Sequence, residues 1–194
     1  EKKGISGGVD FLRRAGEPGS RPPVEKKVVV IGGGNVAVDV ARTALRLGAT
    51  QVELVSLEKR DQMPAYREEI EATLAEGIVI RNGWGPRRIL GGDSVTGIEF
   101  KECLRVFDEK GRFSPEYNDK NLTTIDTTQV IVAIGQMTDA EFLKHIGADA
   151  ERGCFKVDTL TMETSLKGIF AGGDNASGPA SVIQAVAAGK RAAE

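Results

Sequence analysis

The chain has 194 residues, 40% apolar and 28% charged, with a net charge of −2. That is enough for one or two small domains with a buried core, and it excludes the basic stripe needed to grip nucleic acid. No apolar run approaches the roughly 20 residues of a membrane span, and no signal peptide is recognisable.

Glu1 rather than Met opens the chain, as expected of a piece excised from something longer. Residues 1–25 read as a Gly- and Pro-rich linker with one short helical candidate, Val9 to Arg14. Val28 to Ile31 is a continuous apolar run, the mark of a parallel strand buried on both faces. Gly32, Gly34 and Ala37 then form G-x-G-x-x-A, the Ala-ended dinucleotide-binding fingerprint. Gly32 permits the tight turn, Gly34 lets the backbone approach a pyrophosphate, and Ala37 lets the next helix pack close. That helix is expected from about Asn35 to Leu47, stopping at Gly48. Its N-terminal amides and positive dipole end point at the turn, so Gly32, Gly33, Gly34, Asn35, Val36 and Ala37 are candidate cofactor ligands. A second strand, Gln51 to Leu57, ends in Glu58, at close to the spacing of about 20 residues expected of a ribose-binding carboxylate.

Pro64 suits the first position of a helix with Ile70 and Leu74 as its buried stripe and Gly77 as its stop. Glu68, Glu69, Glu71 and Glu76 read as a solvated face of that helix rather than an acid–base site. Ile78 to Ile80 reads as a third buried strand. In the loop that follows, Trp84 suits either a shelf for a ligand ring or core packing. Arg88 to Leu90 and Val95 to Phe107, joined by Gly91-Gly92-Asp93, suggest an antiparallel meander, with Ser114 to Lys120 as polar loop. Thr128 to Ile134 returns to a buried strand ending at Gly135-Gln136. Gly153 to Asp158, Thr161 to Thr164 and Gly168 to Ala171 are short strand candidates. The last runs into Gly172-Gly173-Asp174, and a helix follows from Ala180 to Ala193, a second place to hold a phosphate or polyol. His145 is the only histidine, and Cys103 and Cys154 form no C-x-x-C pair. No Ser-His-Asp triad, metal site or thiol redox centre is expected, and a reducing cytoplasm fits.

VVVIGGGNVAVDVARTALRLGA (28–49), MPA (63–65), EGI (76–78), VIVAIGQ (130–136) and GIFAGGDNASGPASVIQAVAAGKRAA (168–193) give a family resemblance. The chain resembles the C-terminal part of the two-dinucleotide-fold flavoproteins, in the glutamate synthase small-subunit-like branch. The resemblance implies an α/β fold. Residues 26–136 would be a Rossmann-like three-layer NAD(P)H-binding domain with a β-meander, and 137–194 an incomplete segment of the FAD-binding domain. It also implies hydride transfer from nicotinamide to FAD, with electrons leaving through an iron–sulfur domain or a partner subunit. By the same resemblance, Ala133, Ile134 and Gly135 cross back toward the flavin domain. Gly173 and Asp174 face the FAD ribityl–phosphate region, and Ala180, Ser181 and Val182 open a helix aimed at the flavin.

NADPH-using members of the branch tend to carry two arginines where Leu57 and Glu58 stand. A glutamate there repels a 2′-phosphate and favours two free hydroxyls, so NAD(H) is expected over NADP(H). The branch's N-terminal FAD fingerprint and its cysteine clusters do not occur in these residues. The chain alone is therefore expected to bind NADH without retaining FAD or turning over, and self-association through uncovered apolar surface is expected. The alternatives are an NADPH-specific glutamate synthase small subunit and a non-catalytic nucleotide-sensing module. No side chain is named as catalytic, because the cofactors carry the hydride chemistry.

Overall fold

The computed structural model describes residues 2–136, 145–151 and 153–194. The chain divides into two compact units, Glu1–Gly135 and Gln136–Glu194. The domain start expected at residue 137 lies outside the described residues.

The first unit contains β1 (Ile5–Gly7), α1 (Gly8–Gly16), β2 (Lys27–Ile31), α2 (Asn35–Arg46), β3 (Gln51–Ser56), a 3₁₀ turn (Arg60–Gln62), α3 (Arg67–Ala75) and β4 (Val79–Asn82). It continues with β5 (Trp84–Leu90), β6 (Gly97–Phe107), β7 (Phe113–Ile125) and β8 (Gln129–Val132). Its main sheet has the order β1-β8-β2-β3-β4 with every pairing parallel. The other sheet is the antiparallel meander β5-β6-β7.

Alternation along β2 builds the three layers. Val28 and Val30 pack with Phe11 of α1, Val38 and Ala41 of α2 and Ile70 of α3. Val29 and Ile31 point the other way, into Ile98, Phe100 and Ile125 of the meander. The valine run is therefore apolar throughout because helices cover one face and a second sheet the other. Phe100 is fully buried there, a placement worth ~1.5–3 kcal/mol relative to exposure.

The structure corrects several expectations. Residues 1–25 are not a plain linker. Ile5–Gly7 is an edge strand pairing with Val130–Val132, and Phe11 enters the core. Pro22–Glu25 is tied down by Gln129, whose amide donates to the Pro23 carbonyl at 3.1 Å and accepts from Glu25 N at 2.9 Å.

The third helix begins at Arg67 rather than Pro64, and Thr73, not Leu74, joins Ile70 in the interior. The acids of α3 are not all solvated. Glu69 and Glu76 pair with Arg42 of α2, and Glu76 also with Arg46 at 2.6 Å. β4 is an edge strand with Val79 exposed, not a strand buried on both faces. Trp84 packs against the core shared by the parallel sheet and the meander. Ser114 to Lys120 is strand, not loop, held to β6 by polar pairs such as Asn118 Nδ2 to Glu102 Oε2 at 2.9 Å.

In the second unit β9 (Ala150–Glu151) pairs with β10 (Cys154–Phe155), and α4 (Asp174–Ser177) and α5 (Val182–Ala193) follow. The strand expected at Gly168 to Ala171 is reduced to one bridge, Glu163 to Phe170. Thr161 to Thr164 likewise contributes isolated bridges. Among the described residues no helix is long and apolar enough to cross a membrane.

Candidate functional site

The candidate site of the first unit lies at the carboxyl ends of β2, β3 and β8. From β2 the chain moves to β3 on one side, while β8 flanks β2 on the other. That makes the gap between β2 and β8 the switch point where open α/β sheets take ligands.

Each residue of the glycine turn meets a different demand. Gly32 has φ +145, donates its amide to Val55 O at 2.9 Å, and faces the end of β8. A Cβ there would fall onto the Ala133 carbonyl and lie 3.1 Å from Ala37 Cβ. Gly33 is buried, and a Cβ on it would lie 2.5 Å from a Glu58 carboxylate oxygen and 2.6 Å from the Ser56 hydroxyl. Gly34 is the N-cap of α2 in ordinary extended geometry, and among the described residues a Cβ on it would meet nothing within 4 Å. Neither the backbone nor the packing of the described residues requires that third glycine.

α2 begins at this open spot. Its N-cap supplies no side-chain bond and its first turn carries no acid. The first-turn amides, unpartnered by helix geometry, are thus left to an external acceptor, and the dipole favours an anion. A dinucleotide pyrophosphate fits these residues, because no described residue fills the space of a Cβ on Gly34 and the first turn of α2 carries no acid.

The Asn35 side chain is engaged elsewhere. Its Oδ1 accepts from Tyr66 N at 2.9 Å, and Gly33 O accepts from Ala65 N at 3.0 Å. The segment Met63 to Tyr66 therefore braces the outside of the turn, with Met63 and Ala65 buried. Val36 is half-buried against the helix-side core, and Ala37 fully buried in it.

Glu58 follows β3. The Ser56 hydroxyl donates to its carboxylate at 2.5 Å and accepts from its amide at 3.1 Å. The Glu58 carbonyl accepts from Gly83 N and Asn82 Nδ2, both at 3.1 Å. Burial, and secondarily the Glu58 charge, push the Cys103 thiol up, which keeps it protonated and a poor nucleophile. On β8's side, Ala133 N donates to Ile31 O at 2.8 Å, Ile134 is 74% exposed, and Gly135 has φ +118. The structure thus brings Gly32 to Ala133 and Gly33 to Glu58. The partnership of Ser56 and Gly33 with Glu58 has no signal in the sequence, because it joins a strand end to the middle of a glycine turn.

The remaining candidates belong to the second unit. Gly173, with φ +61, caps α4 and packs against Ala185, whose Cβ would lie 3.3 Å from an added one. The Asp174 carboxylate accepts from Ala180 N at 3.3 Å. The helix expected from Ala180 begins at Val182, because Ser181 and Gln184 form a reciprocal capping box. Ser181 N is bonded to Gln184 Oε1 at 2.9 Å. The amides of Ala180 and Ser181 are therefore already engaged, and the open start of this helix is at Val182, 80% exposed. Among the described residues, no group of His, Cys, Asp and Glu could hold a metal ion.

A family model described as pyridine nucleotide-disulphide oxidoreductase matches residues 7–189. The chain is 38% identical over 201 residues to the NADP(+)-dependent formate dehydrogenase subunit beta of Moorella thermoacetica, covering 100% of this chain and 28% of that one. It is 34% identical over 184 residues to the glutamate synthase [NADPH] small chain of Azospirillum brasilense, covering 92% and 38%. Among solved structures, T. acidophilum thioredoxin reductase superimposes with a TM-score of 0.73 at 25% identity, over 98% of this chain and 56% of that one. The chain thus spans well under half the length of these curated relatives.

Proposed function

The chain belongs to the pyridine nucleotide-disulphide oxidoreductase family, and on that premise we propose that it is the nicotinamide-dinucleotide module of a glutamate synthase small-subunit-like flavoenzyme, with a preference for NADH. The observation that carries this reading is the empty Cβ position of Gly34 at the uncapped, acid-free start of α2. The amides of Gly34, Asn35 and Val36 would receive the pyrophosphate, and Glu58 the adenosine ribose hydroxyls. Ala133 to Gly135 border the same crevice. Held there, the dinucleotide would supply a hydride for FAD, for onward passage to an iron–sulfur or partner-subunit acceptor. This chain's residues orient and exclude, and no side chain need exchange a proton. In the second unit, Asp174 and the start of α5 would meet FAD in the longer protein.

One titration series tests the reading. The purified chain should bind NADH saturably and FAD not at all. Gly34→Val should abolish NADH binding with an unchanged circular dichroism spectrum, because a branched side chain would occupy the phosphate position. Normal NADH binding by that variant would place the site elsewhere. A second reading, NADPH preference, is favoured by the NADP named in both curated relatives. The same titration with NADPH separates the two.

A further inference from the structure

We propose that Ser56 is a positioning residue for nucleotide discrimination, its buried hydroxyl holding the Glu58 carboxylate against Gly33 so that the other carboxylate oxygen is presented to the ribose diol. This rests on the reading of Glu58 as the ribose acceptor. Ser56 ends β3 in register with Asn82 of β4 and is completely buried. Its hydroxyl bonds twice to one residue, donating to the Glu58 carboxylate at 2.5 Å and accepting from the Glu58 amide at 3.1 Å. The Glu58 backbone is fixed from the other side by Gly83 and Asn82. Gly33 supplies the niche, since a Cβ there would lie within 2.5 Å of the carboxylate and 2.6 Å of the hydroxyl.

An ionised carboxylate offers about four lone-pair sites over two oxygens. With one oxygen on Ser56, the second remains for the paired 2′- and 3′-hydroxyls, at a fixed position and in one rotamer. An unheld glutamate would have to lose its rotamer freedom on binding, and preorganisation removes that cost. The hold also fixes a negative charge where a 2′-phosphate would have to sit. Ser56 thereby sharpens the preference by strengthening NADH, without touching the nucleotide.

The test is a double-variant cycle on the 194-residue chain, with NADH and NADPH affinities read from nicotinamide fluorescence. Ser56→Ala should weaken NADH about five- to tenfold and leave NADPH within about twofold of its starting value. Glu58→Ala should lower the NADH-to-NADPH preference at least as far. Adding Ser56→Ala to Glu58→Ala should then change nothing further, because Ser56 acts only through the carboxylate. If Glu58→Ala leaves the preference intact, the ribose reading of Glu58 fails and this proposal with it. If Glu58→Ala lowers the preference but Ser56→Ala does not, the proposal for Ser56 alone is overturned. It is equally overturned if Ser56→Ala weakens both nucleotides alike, or weakens NADH again in the Glu58→Ala background. Should Ser56→Ala not fold, Ser56→Cys keeps a weak donor at similar size. It should show an intermediate preference, and an unchanged one would count against the proposal.

Discussion

Gly32, Gly33 and Gly34 show how three identical residues answer to three different constraints. Gly32 is imposed by backbone conformation and by the Ala133 carbonyl, Gly33 by Glu58 and Ser56, and Gly34 by nothing among the described residues. Spacing alone made Gly32, Gly34 and Ala37 legible, because the fingerprint is a local pattern. The middle glycine reads as filler in that pattern, and its reason is a tertiary contact with another strand end. The place of Glu58 beside the turn is legible from its spacing, whereas its Ser56 partner is not, since a serine ending a strand carries no motif. At this scale the prediction is that Glu58→Arg narrows or reverses the preference for NADH. The guanidinium removes the repulsion of a 2′-phosphate and adds a fork of donors suited to it. Competitive titration should show NADPH gaining about tenfold. Unchanged affinities for both nucleotides would dissociate this position from specificity.

β2, α2 and β3 follow the sequence closely because long runs of one period, with a glycine stop at Gly48, leave few alternatives. The misread elements are those decided by distant partners. β1 spans only Ile5–Gly7, too short for any periodicity, and exists because β8 offers it an edge. α3 starts late because Tyr66, its N-cap, is extended at φ −61, ψ 140, in a segment that the glycine turn and Asn35 hold by the Ala65 and Tyr66 amides. β7 looks like loop because an edge strand with a wet face draws polar residues, here bound to β6 through Glu102. Between α2 and α3 the Arg42–Glu69–Glu76–Arg46 cluster gives a pH signature. Hydrogen bonding to Arg42, then to Arg46, holds the Glu76 carboxyl below its ordinary value of 4.5. A carboxyl depressed in the folded state contributes stability that is present above that value and lost as pH falls through the lower, folded one. Glu76→Gln should therefore lower the melting temperature at neutral pH and flatten its decline below 4.5. Parallel acid limbs in variant and parent would show that the cluster does not hold the helices together.

At the scale of the whole molecule, one unit carries a closed three-layer core and the candidate nucleotide crevice. The other carries a helix whose Val182, Ile183 and Val186 are exposed. The relatives are longer chains, and the nucleotide binding proposed above rests on the first unit alone. The central claim is that the start of α2 is the pyrophosphate site. Backbone amide NMR of the isotopically labelled chain during an NADH titration tests it most directly. The account predicts the largest shifts at the amides of Gly34, Asn35 and Val36, with Glu58 and Ser56 moving in the same saturation curve. Saturable NADH binding that leaves those amides unmoved and shifts residues elsewhere would contradict it.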